Sequence, residues 1–268
     1  MRNQPLHYID TGTGSTALVL VHGFTCDHTD WQAQIDTLRA RFRVIGVDLN
    51  GHGRTPPGEP DPVTMGHELA ALIDHLNLEN PVLAGHSMGT REIAQAAALT
   101  PVAGLIMVDG SRGASTPEQL ERVLAIRDTQ DYQSYAKNLF DQMFTENIDP
   151  EIRSRIIRRA IDLDAQWAMA LHANVASFDL HQLPQTLAVI TAPMLAIQCT
   201  TRGEDGGRQS LSTGAAGTAY TDFLASYFKD SKSAINILPD TSHFPQFEAT
   251  DALSEMMADF YIKIVNRN

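Results

Sequence analysis

Residues 81–100 read PVLAGHSMGTREIAQAAALT. Within them, Gly85-His86-Ser87-Met88-Gly89 constrains the fold more than any other stretch. An apolar run suited to a buried strand meets a serine fenced by two glycines and then becomes helical. Gly-x-Ser-x-Gly in that context is the nucleophile-elbow pattern. The serine must occupy a tight, strained strand-to-helix turn. Side chains at the two flanking positions would strike neighbouring backbone, so small residues are required there. The turn lifts the serine Oγ off the sheet, and the next helix directs its unpaired amides at the same point.

The remaining chain supplies the sheet that such an elbow needs. Apolar, β-rich runs stand at 6–12, 17–23, 42–49, 81–87, 102–110, 194–200 and 233–240. Several lack alternation, as strands covered on both faces do. Helical patterns separate them at 28–41, 64–77, 88–100 and 251–265. Strand and helix in turn predict an α/β fold with a mostly parallel central sheet flanked by helices. The alternation lapses from Gly110 to Leu187, where four helical patterns follow one another. Ser115, Pro117 and Glu118 suit the cap, early proline and capping acid of the first. A helical insertion between two strands is a candidate lid. The glycine-rich stretch Arg202–Gly217 reads as a mobile loop.

Composition excludes more than it selects. The net charge of −12 argues against a nucleic-acid surface and against an anionic membrane. Cys26 and Cys199 form neither a disulfide framework nor a metal-ligand spacing. The N-terminal residues lack the apolar core of a secretory signal, and no apolar run approaches a membrane span. These features lead to an expectation of a cytoplasmic protein that binds a small molecule.

A serine hydroxyl is a weak nucleophile without a base, an orienting acid and an oxyanion site. His22-Gly23-Phe24 follows the strand at 17–21, which places the amide of Phe24 as one oxyanion donor and that of Met88 as the other. His243, after the last apolar run and before the C-terminal helix, is the expected base. His7, His28, His67, His75, His172 and His181 have no comparable context and read as surface or packing residues. His52 reads as part of a turn.

With its motifs at His22–Phe24, Asp48–Thr55, Gly85–Gly89 and Ser242–Glu248, the chain resembles the α/β-hydrolase superfamily over essentially its whole length. It is most similar to small bacterial serine esterases with a helical cap. The resemblance implies a core domain at 1–110 and 188–268 and a cap at 111–187. Ser87 counts against dehalogenases and epoxide hydrolases, which carry an aspartate at the elbow. Relatives commonly have arginine where this chain has Asn50. The acid is open. The usual position, after the strand at 194–199, falls near Arg202, where Asp205 and Glu204 are the nearby acids. Some members instead place the acid at the end of the preceding strand, which here is Asp109.

The resemblance implies acyl transfer to water through an acyl-enzyme, with no metal and no organic cofactor. Phe140, Met143, Phe144, Trp167, Met169 and Phe178 of the insertion could line an acyl or aryl pocket, although residues at helical spacing are commonly core. Small to medium apolar esters are the expected substrates. A lactonase, a carbon–carbon bond hydrolase, a perhydrolase side activity and a non-catalytic ligand-binding protein remain alternatives. Oligomeric state is left open.

Overall fold

A computed structural model describes residues 6–203 and 207–265. Seven strands form the main sheet: β1 (His7–Thr11), β2 (Ala17–Val21), β3 (Arg43–Asp48), β4 (Val82–His86), β5 (Gly104–Val108), β6 (Met194–Gln198) and β9 (Ala234–Ile237). Their order is β1-β3-β2-β4-β5-β6-β9. Only β1 runs antiparallel, pairing with β3; the other five pairings are parallel. The edge position of β1 matches its half-buried pattern, whereas β2, β4, β5 and β6 are buried throughout.

The fully apolar strands feed two cores, because successive side chains point to opposite faces. Val19, Val21, Leu83 and Met107 face α2 (Pro62–His75) and α3 (Gly89–Ala97). Leu18, Leu20, Ala84 and Ile106 face α1 (Gln32–Leu38) and α11 (Thr250–Val265). Helices on both faces are what a parallel sheet requires, since each crossover must bury a stripe against it. The parallel strands all end at one edge, and that edge carries the site.

Between β5 and β6 the chain runs through α4 (Pro117–Thr129), α5 (Tyr132–Asp141), α6 (Pro150–Ile161), α7 (Ala165–His181) and α8 (Leu183–Val189). Helices α5 to α7 build their own core from Tyr132, Ala136, Phe140, Ile156, Ala160 and Met169, closed by Phe244. Two charged ties fasten them down. Arg159 of α6 pairs with Asp27 at 2.5 Å and with Asp30. Asp179 of α7 pairs with Arg91 of α3 at 2.7 Å, both buried.

Two local expectations need correction. The cap of α4 is Thr116, whose side chain accepts from the Gln119 amide, while Ser115 bonds the Gln119 side chain instead. The stretch 202–217 is not simply a loop: β7 (Thr200–Arg202) and β8 (Arg208–Ser210) pair antiparallel as a ribbon. Glu204 and Asp205 lie outside the described residues. Among the described residues, no helix is long and apolar enough to cross a membrane.

Candidate active site

Ser87 follows β4 directly and has φ +53°, the left-handed region that a non-glycine residue enters at a cost. Its amide donates to the carbonyl of Val108 at 2.9 Å, so the turn stays tied to β5. The flanking glycines answer to close packing. A Cβ on Gly85 would lie 2.3 Å from the Gly89 carbonyl oxygen, and one on Gly89 would lie 2.6 Å from that of His22. Gly85, Gly89 and the strained serine are therefore one interdependent turn.

A histidine from the far end of the chain meets that serine, and an aspartate stands behind it. Ser87 Oγ lies 2.8 Å from Nε2 of His243, and Nδ1 of His243 lies 2.6 Å from Oδ2 of Asp109. Asp109 follows β5 directly, with φ +43°. Its Oδ1 accepts from the amides of Cys199 and Thr200, both at 2.8 Å, and from the Gln198 side chain at 3.0 Å. Its Oδ2 also accepts from the Thr200 hydroxyl at 2.7 Å. A carboxylate held at this many points cannot swing away from the imidazole. The His243 main chain is fixed as well. Its amide donates to the Met143 carbonyl of the helical insertion at 3.1 Å, and its carbonyl accepts from Nε2 of His86 at 2.7 Å.

Burial pulls the His243 imidazole down to about 4, and Arg208 adds to the effect against the pull of Asp109. Burial alone would raise Asp109. The hydrogen bond and charge of His243, then Arg208 and the Thr200 hydroxyl, outweigh it and leave the carboxyl at about 2. At neutral pH His243 carries no charge, and its Nδ1–H still donates to Asp109, beside Arg208 and the Thr200 hydroxyl. A neutral imidazole with a fixed carboxylate behind it can accept a proton from the serine hydroxyl.

Opposite the serine, the turn after β2 is braced by two histidines. His22 accepts from the Leu49 amide at 3.0 Å and donates from Nδ1 to the Gly23 carbonyl at 2.8 Å. His52 accepts from the Thr25 amide at 3.1 Å, and Thr25 has φ +62°. Gly23 packs close to the elbow, where a Cβ would lie 3.1 Å from Ser87 Cβ. Among the described residues the amides of Phe24 and Met88 donate to no acceptor of the chain, so both are available to a developing oxyanion.

The apolar residues of the insertion mostly do not open onto this point. Phe140, Met143 and Met169 are 2%, 8% and 6% exposed and sit inside the helical core, while Phe178 is buried in the main core. Trp167 donates to the Gly58 carbonyl at 2.7 Å and packs edge-on against His52. Phe144 stacks on Phe244 at 4.9 Å. Helical spacing cannot tell a lining residue from a core residue; burial can. A cleft of about 800 Å³, with Asp27, Gly51, Arg155 and Arg159 on its walls, contains none of Ser87, His243 or Asp109.

Sequence reading missed several neighbours. His172, read as a surface or packing residue, is a packing one: its Nε2 lies 2.8 Å from the Tyr135 hydroxyl, and its ring meets that of Phe24 at 6.2 Å. The Arg91–Asp179 pair also grips the elbow, since Arg91 donates to the Ser87 carbonyl at 2.9 Å. A basic residue four places after the elbow serine was the available signal for this tie.

A parallel sheet with a serine elbow on its central strand, and histidine and aspartate brought to the same edge by later loops, defines an α/β-hydrolase architecture. The chain belongs to the alpha/beta hydrolase family, whose model matches residues 18–256. It is 41% identical over 101 residues to the dihydrolipoyllysine-residue acetyltransferase component of the acetoin cleaving system of Pseudomonas putida, covering 36% of this chain and 27% of that protein. A putative non-heme chloroperoxidase of Synechocystis sp. is 28% identical over 184 residues, 63% of this chain and 65% of the relative. The chain thus spans about a quarter and just under two-thirds of these curated relatives. Among solved structures, a thermophilic esterase from Thermogutta terrifontis superposes with a TM-score of 0.74 at 25% identity, covering 97% of this chain and 93% of that one.

Proposed function

We propose that the chain is a serine hydrolase of small to medium carboxylic esters, acting through an acyl-enzyme. Ser87 Oγ attacks the ester carbonyl while His243 takes its proton. The amides of Phe24 and Met88 hold the oxyanion, a contribution of a few kcal/mol per donor. His243 then protonates the departing alcohol, and water, deprotonated by the same imidazole, releases the acid. Asp109 holds the imidazole in the tautomer that leaves Nε2 free for the serine and stabilises the imidazolium. The observation that carries this reading is the continuous Ser87–His243–Asp109 hydrogen-bond chain of 2.8 and 2.6 Å. The likeness to an esterase structure supports it.

Reaction with a fluorophosphonate, located by mass spectrometry, tests the nucleophile. Labelling at Ser87 together with hydrolysis of 4-nitrophenyl butyrate, both lost in Ser87→Ala, is the expected result. A folded protein that neither reacts nor turns over any ester would favour a ligand-binding role instead.

A further inference from the structure

Among the described residues, three guanidinium groups, Arg91, Arg202 and Arg208, stand near the sheet edge, and carboxylates pair with two of them. Arg91 is paired with Asp179 at 2.7 Å, and Arg208 lies 3.6 Å from Asp109. Among the described residues no carboxylate comes within ion-pair distance of Arg202. Its direction follows from strand register. In the β7–β8 ribbon Arg202 pairs with Arg208 and Thr200 with Ser210, so all four side chains share one face. That face looks at the site: the Thr200 hydroxyl bonds Asp109, and Arg208 reaches the Ser111 hydroxyl at 3.1 Å. Arg202 is exposed, yet its charge is felt at His243, His172 and Tyr135. Arg202 thus stands on the same ribbon face as Thr200, whose hydroxyl bonds Asp109.

A second pair of polar groups, His172 and Tyr135, also feels the Arg202 charge. The Nδ1 of His172 is buried with no partner. With the proton on Nε2, donating to the Tyr135 oxygen, Nδ1 is a bare acceptor. The Tyr135 hydroxyl hydrogen is then free. Burial, with Arg202 next, brings His172 down to about 4, so it remains neutral and adds no charge of its own.

We propose that Arg202, with the Tyr135 hydroxyl as a second donor, binds a carboxylate carried by the ester substrate. The substrate then has one anionic end. This rests on the serine-hydrolase reading above. A guanidinium fork matches a carboxylate, and in a partly desolvated site such a bond is stronger than at an open surface. The position where relatives commonly carry their catalytic acid thus holds a cation here, and the acid sits on β5.

The test uses matched pairs. Monoethyl glutarate against diethyl glutarate places the charge on the acyl side. 4-Carboxyphenyl butyrate against its methyl ester places it on the alcohol side. In the native protein kcat/KM for the anionic member of at least one pair is expected to exceed that of its neutral partner by about tenfold or more. Arg202→Gln should lower that ratio by about 10- to 100-fold, and Arg202→Lys should restore part of it. A ratio at or below one in both pairs overturns the proposal, as does an unchanged ratio in Arg202→Gln. Calorimetric binding of glutarate, present in the native protein and lost in Arg202→Gln, gives a readout that does not depend on turnover; absence of binding to the native protein overturns it too. Hydrolysis of neutral esters without any anionic preference would leave the hydrolase reading standing while this one fails.

Discussion

Oδ2 of Asp109 lies 2.6 Å from Nδ1 of His243 although 134 positions separate the two residues. The contact exists because β5 and β6 are neighbours and β9 pairs with β6, so the strand-end aspartate and the loop after β9 open onto one edge. Asp109→Asn is the first expectation to follow. An amide would offer a donor where Nδ1–H needs an acceptor, turning the imidazole to the wrong tautomer. A fall in kcat of about 10³- to 10⁴-fold is expected. Near-normal turnover of a 4-nitrophenyl ester would exclude Asp109 as the acid.

The pH profile follows from the buried imidazole. His243 must be neutral to act as a base, and it stays so down to about 4. The acid limb of kcat/KM should therefore have its midpoint near 4 rather than near the ordinary histidine value of about 6.5. A limb centred at the ordinary value would show that the imidazole is not desolvated in the working protein.

Stability should respond to the same protons. Burial lowers His22, His52, His86, His172 and His243 together, His52 to about 3. In the unfolded chain these groups titrate near their ordinary value. Below that value the unfolded chain binds protons that the native one refuses, so stability is complete above about pH 6.5 and declines as pH falls. Thermal melts between about pH 7 and pH 5 should show Tm dropping on the acid side; a flat profile would contradict the burial of these rings.

Gly85→Ala should damage the turn. The added methyl would sit 2.3 Å from the Gly89 carbonyl oxygen, which is backbone and cannot step aside. A loss of about 1–3 kcal/mol is expected, with activity falling further because the serine shifts. Urea unfolding and turnover measured together would separate the two effects.

The Arg91–Asp179 pair ties the helix after the elbow to α7. Removing one partner from a buried pair leaves a naked charge, and Asp179→Ala should cost about 3–5 kcal/mol. The Arg127–Asp128 pair, exposed on α4, provides the contrast: Asp128→Ala should leave the urea midpoint where it was. Equal effects at both sites would mean that Asp179 does not anchor the insertion.

Much of this protein was already legible in the chain. The seven apolar runs all became strands of the main sheet, because strands covered on both faces leave unbroken apolar stretches and the intervening helices carry their own period. Ser87 and its glycines were equally plain, since a turn that crowded tolerates few residue types and records them side by side. Which acid stands behind His243 was not, because both the end of β5 and the stretch after β6 are positions from which a carboxylate can reach the histidine, and only the folded strands bring Asp109 to it.

What tertiary structure alone decided was which distant groups meet and which apolar side chains stay covered. Ser87, Asp109 and His243 share one sheet edge only once strand order is set. Phe140 and Met169 turn inward only once α5, α6 and α7 pack together. Arg202 shares a face with Thr200 and Arg208 because of the register of a three-residue ribbon. Sequence determines local conformation through short-range sterics and periodicity; the partners of a buried charge are chosen by packing among segments far apart in the chain.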